Sequence, residues 1–251
     1  MEHFYGISPS LCPLSPNEEY PDDDILKSVE RRLAHEPLQY ILGEWSFYRQ
    51  TYKVTPDCLI PRSDTEILVE QAIGMLPKNA FFADLCTGSG CIAVSILAER
   101  RDLSCIAVDK FPATLALAAH NAGKNGVLDR FVPMQADVLN PFSLCEKGSL
   151  DAILSNPPYI NTKTVDTLAP EVQREPRAAL DGGEDGLDFS RAILQNTAPF
   201  LKEEGFFLFE IGYDQAEALE RLGKEAGFPY CKIRRDYGGN QRTVTLSRQP
   251  V

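Results

Sequence analysis

Phe81-Phe82-Ala83-Asp84-Leu85-Cys86-Thr87-Gly88-Ser89-Gly90 decides the fold. The apolar run from Phe81 to Leu85 reads as a buried strand, and the loop from Cys86 to Gly90 leads into an apolar-rich helix through about Arg100. Glycine lets a backbone approach a ligand closely, and the first helical turn offers N–H groups without partners. Those groups suit a carboxylate. From Phe81 onward strands and helices alternate, the pattern of a parallel α/β sheet. A second strand, Cys105 to Val108, ends in Asp109, 25 residues after Asp84, where dinucleotide-binding folds hold a ribose diol. A third, Phe131 to Ala136, ends in Asp137, placed to accept from an adenine amino group. By spacing alone, each acid fits a solvated loop equally well. Ligand-type loops at successive strand ends argue for one cleft, because open α/β sheets bind ligands at the carboxyl ends of their strands.

The fourth strand end carries the most unusual residues. After the apolar run Leu150 to Leu154 comes Ser155-Asn156-Pro157-Pro158-Tyr159-Ile160. Each proline lacks an N–H, fixes its own φ and keeps the residue before it extended. Asn156 and Pro157 are therefore held in an open backbone whose carbonyls can point into a cleft. A turn serving structure alone would more often carry Gly or Asp. Beyond it, Gly186 to Leu201 reads as a helix, Phe206 to Ile211 as a strand ending near Glu210 and Gly212, and Gln215 to Ala226 as a helix. Tyr230 to Arg235 and Thr243 to Arg248 read as an antiparallel pair joined through Gly238-Gly239-Asn240-Gln241.

Upstream, Ser63 and Glu66 have the spacing of a capping box that opens a helix with Ile67, Leu68, Ala72, Ile73 and Leu76 on its apolar face. Arg62, between a proline and this helix start, is compatible with bracing either the Asn156 loop or a substrate backbone. Trp45 to Val54 alternates aromatic and polar residues, as a hairpin or an extended connector does, and Leu38 to Gly43 reads as a helical turn closed by glycine. Ile25, Val29, Leu33 and Ala34 share a helical face up to about His35. Pro9, Pro13, Pro16 and Pro21 mark a poorly structured lead-in, with Asp22 to Asp24 capping that first helix.

The chain has 251 residues and a net charge of -11, with no Lys/Arg run, so a duplex nucleic-acid groove is not expected as its partner. Seven cysteines, at positions 12, 58, 86, 91, 105, 145 and 231, form no C-x-x-C pair and have no His cluster beside them. They read as reduced thiols in a cytoplasmic protein, with no metal site. The amino terminus lacks a basic region followed by an apolar stretch, and no apolar run reaches membrane length.

A mainly parallel sheet finished by an antiparallel pair is typical of S-adenosylmethionine-dependent methyltransferases. A dehydrogenase would carry G-x-G-x-x-G where this chain reads D-L-C-T-G-S-G. More specifically, the chain resembles the protein-(glutamine-N5) methyltransferases that modify peptide chain release factors. The resemblance rests on Glu36 to Gly43, Leu59 to Glu66, Asp84 to Ala93, Ser155 to Ile160, Glu175 to Leu180, and Glu210-Ile211-Gly212 with Gln215. The Asn-Pro-Pro-Tyr motif alone is shared with adenine-N6 DNA methyltransferases; the Ile-Pro-Arg and Glu-Pro-Arg segments make the match specific. It implies a seven-stranded, Rossmann-like class I methyltransferase sheet over residues 45–251, entered through the hairpin connector. Residues 1–44 would form a shortened helical, substrate-docking segment, where family members usually begin with a five-helix domain.

The resemblance places the donor's methionine end at Cys86, Thr87, Gly88, Ser89 and Gly90, its ribose at Asp109, and its adenine near Asp137 and Val138, with Asn156 bordering donor and substrate. Cys86 stands where many methyltransferases have glycine. Phe111 fits either an adenine contact or the core. Asn156, Pro157, Pro158 and Tyr159 are the expected catalytic residues. The Asn156 side-chain oxygen and the Pro157 carbonyl would accept the two N–H bonds of the substrate amide, and Tyr159 would stack on it. The substrate would be the glutamine of a release-factor Gly-Gly-Gln loop, methylated by a monomer. An adenine-N6 nucleic-acid methyltransferase, which would hold a flipped base in the same loop, is the alternative. A donor-binding adaptor would have a degraded Asn-Pro-Pro-Tyr motif, and this one is intact.

Overall fold

A computed structural model describes residues 23–250. The lead-in with its four prolines, Asp22, His3 and Cys12 lie outside the described residues. Nine strands are found among these: β1 (Glu44–Phe47), β2 (Gln50–Lys53), β3 (Phe81–Leu85), β4 (Ser104–Asp109), β5 (Phe131–Gln135), β6 (Leu150–Ser155), β7 (Leu201–Glu210), β8 (Tyr230–Arg235) and β9 (Gln241–Ser247). The last seven form one sheet in the order β5-β4-β3-β6-β7-β9-β8. β5, β4, β3, β6 and β7 run parallel, and β9 pairs antiparallel with both β7 and β8. The strand order reverses between β3 and β4 on one side and β6 on the other, which opens a crevice over their carboxyl ends.

Apolar residues on both sheet faces explain the layers. Helices Glu66–Met75, Cys91–Glu99 and Pro112–Lys124 cover one face, over Phe82, Cys105, Ala152 and Leu208. Helices Asp188–Thr197 and Ala216–Glu225 cover the other, over Leu85, Val108, Ile153 and Phe207. Cys91 to Leu97 are all buried, so this mostly apolar helix is covered on every side, wedged between sheet and neighbours. Tyr52 of the β1–β2 hairpin is fully buried; its ring meets Phe47 edge-on at 6.0 Å and its hydroxyl lies 2.6 Å from Ser95 Oγ. The connector is thus a hairpin that belongs to the core.

Four expectations need correction. The first helix, Asp23–Leu33, ends two residues before His35 and buries none of its residues fully; Ile25 is half-buried, while Val29 is 47% and Leu33 76% exposed, so its apolar face is only partly covered within the described chain. The helix expected to reach Leu201 ends at Thr197 and gives way to a 3-10 turn, Ala198–Phe200, because Pro199 has no N–H to continue the ladder. β7 starts at Leu201, five residues early. Its register with β6 shifts between Leu150 and Ala152, where the polar stretch Lys202 to Glu204 is looped out. Ser63 makes no capping bond; a 3-10 turn, Ser63–Thr65, precedes the helix, and Glu66 Oε1 instead accepts from Tyr48 N at 2.8 Å. Glu66 therefore ties the helix to the hairpin turn, and its role remains structural.

Candidate active site

The crevice over the strand ends holds a cavity of about 1120 Å³, counted to its open mouth. Its walls include Cys86, Thr87, Gly88, Ser89, Asp109, Asp137, Val138, Asn156 and Pro158. Gly90, Pro157 and Tyr159 adjoin lining residues in the chain but are not among those walls. Gly90 has φ +81 and faces Ala118, whose Cβ would lie 3.2 Å from a side chain added there. Both features favour glycine here. Phe111 is 44% exposed and lines the cavity, which removes it from the core.

Short-range contacts build one end. Asp84, fully buried, accepts from Thr87 Oγ1 at 2.7 Å and from Ala93 N at 3.3 Å, drawing the loop over the helix start. Burial pushes its carboxyl up to about 7, and its Oδ1 has no partner. Asp109 accepts from Gly88 N and from Phe111 N, both at 3.1 Å. These bonds lock the tips of β3 and β4 together. Ser89 Oγ is buried without a partner. Cys86 adopts φ +59, and burial pushes its thiol up, so a neutral thiol faces the cavity. At the third strand end, Asp137 pairs with Lys110 at 3.0 Å and accepts from Leu139 N at 3.1 Å.

Long-range contacts build the other end. Asn156 Nδ2 donates to Thr65 Oγ1 at 3.2 Å, while Asn156 Oδ1 is buried with no partner. Tyr159 O–H donates to Glu210 Oε1 at 3.3 Å, and the Tyr159 carbonyl accepts from Gln215 Nε2 at 2.9 Å. Ile160 joins the chain after Leu180 through Ile160 N to Leu180 O, 2.9 Å, and Gly182 N to Ile160 O, 2.8 Å. A side chain on Gly182 would meet the Pro158 carbonyl at 2.7 Å, so this close approach needs glycine. Arg62 resolves differently from either expectation: it forms an ion pair with buried Glu175, whose other oxygen accepts from Ile60 N at 3.0 Å. The Ile-Pro-Arg and Glu-Pro-Arg segments are thereby clamped to each other and form a wall of the cavity.

Comparisons with known proteins identify the family. The release factor glutamine methyltransferase of Geobacter sulfurreducens is 41% identical over 217 residues, covering 86% of this chain and 75% of its own. That of Thermodesulfovibrio yellowstonii is 38% identical over 225 residues, covering 88% and 79%. The chain belongs to the release factor glutamine methyltransferase family. A family model described as the methyltransferase small domain matches residues 63–186, which span β3 to β6 and the Asn156 loop. Among solved structures, M. jannaschii TYW2 in complex with AdoMet shares the fold, with a TM-score of 0.55 at 14% identity over 81% of this chain and 83% of that one.

Family membership leaves some contributors to the site unread. Thr65 looked like a helix-start residue, yet its hydroxyl holds the Asn156 amide. Asp57, in a Pro-Asp turn, lines the cavity without any motif to mark it. A polar residue buried beside the Asn156 loop is the signal that finds Thr65, and only the fold supplies that signal.

Proposed function

We propose that this chain transfers a methyl group from S-adenosylmethionine to the side-chain N5 of the glutamine in a Gly-Gly-Gln motif of peptide chain release factors. The observation that carries this reading is Asn156, a wall residue of the cavity whose side-chain Oδ1 is buried without a donor. An unpaired buried acceptor costs about 1–3 kcal/mol, so a ligand N–H is the group it calls for.

The donor end fits S-adenosylmethionine. Buried, unpaired Ser89 Oγ and the loop Cys86 to Gly90 suit the polar amino-acid end, Asp109 the ribose, and Asp137 with Val138 and exposed Phe111 the adenine. When bound, this cofactor supplies an electrophilic methyl group. Every other requirement falls on the chain. An amide nitrogen is a poor nucleophile because its lone pair is delocalised, as its rotation barrier of about 18–20 kcal/mol shows. Asn156 Oδ1 would accept one N–H bond of the glutamine amide and the Pro157 carbonyl, between the lining residues Asn156 and Pro158, the other; together they would turn its nitrogen toward the donor end and favour positive charge developing there. Fixed orientation of this kind is worth up to about 7–11 kcal/mol. The neutral Cys86 thiol is no rival nucleophile. The Tyr159 hydroxyl is held by Glu210, so the ring would act as a rigid backing for the loop.

Residues 45–251 would then be the catalytic unit and 1–44 the docking segment, the exposed Val29 and Leu33 of the first helix offering an apolar face to the release factor. With a charge of -11, a protein loop suits this cleft better than duplex DNA, and a monomer in the cytoplasm meets every need of the reaction. Methyl transfer from labelled S-adenosylmethionine to a purified release factor, its Gly-Gly-Gln glutamine-to-alanine variant and duplex DNA tests this. Label on the intact factor alone is the expected result. Label on DNA alone would move the chain to the adenine-N6 branch.

A further inference from the structure

Glu210 ends β7 behind the Asn156 loop and does not line the cavity. It is 1% exposed, its Oε1 accepts from Tyr159 O–H, and its Oε2 is buried without a hydrogen-bond partner. Next to it, Thr65 is 2% exposed and accepts from Asn156 Nδ2, which leaves the single proton of its hydroxyl to find an acceptor. Among its neighbours, the Thr65 hydroxyl does most to favour the ionised Glu210 carboxyl, against the burial that opposes it. The orphan acceptor and the spare proton complement each other.

We propose that Glu210 is a positioning residue: its carboxylate takes the Thr65 proton, leaves only Thr65 lone pairs facing Asn156, and so fixes the Asn156 amide with its oxygen toward the substrate. A hydroxyl has one proton and two lone pairs, and an ionised carboxylate only accepts. Thr65 must then accept from Asn156, and the Asn156 amide can point only one way. A protonated or amidated residue 210 would donate to Thr65, free its proton to turn toward Asn156, and let that amide reverse. Reversed, it would present N–H to the substrate's own N–H. A carboxylate fixes a histidine tautomer in hydrolytic triads by the same logic. The inference rests on the reading of Asn156 as acceptor for the substrate amide.

The groups facing Glu210 are Asp64 and Thr65 from the turn before the Glu66–Met75 helix, Tyr159 from the loop, Arg242 from β9, and Cys91 from the helix after β3. Burial dominates and pushes the carboxyl up to about 7, against Thr65 and Arg242, which pull it down. The ionised form is the one that orients Asn156, so turnover rises with pH through that region.

The test is Glu210→Gln, with folding checked by thermal melting. Its kcat falls about a hundredfold, while KM for the release factor and donor affinity stay within a few-fold. The acidic limb of the wild-type kcat profile, near pH 7, disappears. Independently of turnover, the nitrogen-15 side-chain resonances of Asn156 in the substrate-free protein shift with a midpoint near pH 7 in wild type and ignore pH in the variant. Thr65→Val reproduces both losses and Thr65→Ser restores both, which keeps the question open to decision should Glu210→Gln not fold. A wild-type kcat and acidic limb in Glu210→Gln, or Asn156 resonances that ignore pH in wild type, would overturn the proposal. Resonances that titrate in a protein that methylates no release factor would leave the positioning role standing and remove the proposed reaction.

Discussion

At the donor end of the cavity, the polar groups hold each other across three residues, Asp84 to Thr87, or across 21, Gly88 to Asp109. At the Asn156 end the corresponding bonds span 91 residues to Thr65, 51 from Tyr159 to Glu210 and 115 from Ile60 to Glu175. The first end is finished when β3 and β4 pair and the next helix starts. The second is finished only when the turn before helix Glu66–Met75, the segment around Glu175 and the end of β7 have all docked on the Asn156 loop. One end can therefore be damaged while the other stays intact, and substitutions should sort by end.

Arg62→Ala should have the largest effect on stability. It leaves the Glu175 carboxylate buried without its charge partner, a loss of about 3 kcal/mol that thermal or urea unfolding would register. Turnover should fall more than donor affinity, and equal losses would erase the distinction between the ends. Asp109→Ala should act in the opposite sense, weakening donor binding by about 10- to 100-fold, since hydrogen bonds to a charged group are worth about 1.5–3 kcal/mol. Turnover at saturating donor should stay within a few-fold of wild type, as read by calorimetry paired with initial rates. Gly90→Ala is milder, about 1–2 kcal/mol for a side chain in the left-handed region, with added crowding against Ala118. Its melting temperature and donor affinity should drop together, while its pH profile should be unchanged.

The same contrast explains how much could be read in the chain beforehand. Strand, loop and helix at Phe81 to Arg100 follow from a local apolar run and glycines, and β3 falls where that run lies. β8 is as legible, because Tyr230 to Arg235 abuts a glycine-rich turn. Pro199 hid in an otherwise helical pattern, and the early start of β7 was hidden because Lys202 to Glu204 breaks its apolar alternation. Asn156 announces itself through its two prolines. Its partners do not, because Thr65 and Glu210 have ordinary explanations as a helix-start residue and a strand-end acid. Arg62 likewise displayed its importance without its partner, since nothing local to residue 62 names Glu175. Local chemistry is written in local sequence, whereas the bonds that orient Asn156 exist only once the sheet has closed.

The most direct test of the claim that Asn156 acts on the substrate nitrogen is Asn156→Ala, with single-turnover methyl transfer to the release factor and donor dissociation measured on the same preparation. Transfer should fall by about a hundredfold or more, as when one charge-stabilising group is removed from an active site, with donor affinity within a few-fold. Undiminished transfer, or transfer and donor binding lost in equal proportion, would contradict the account.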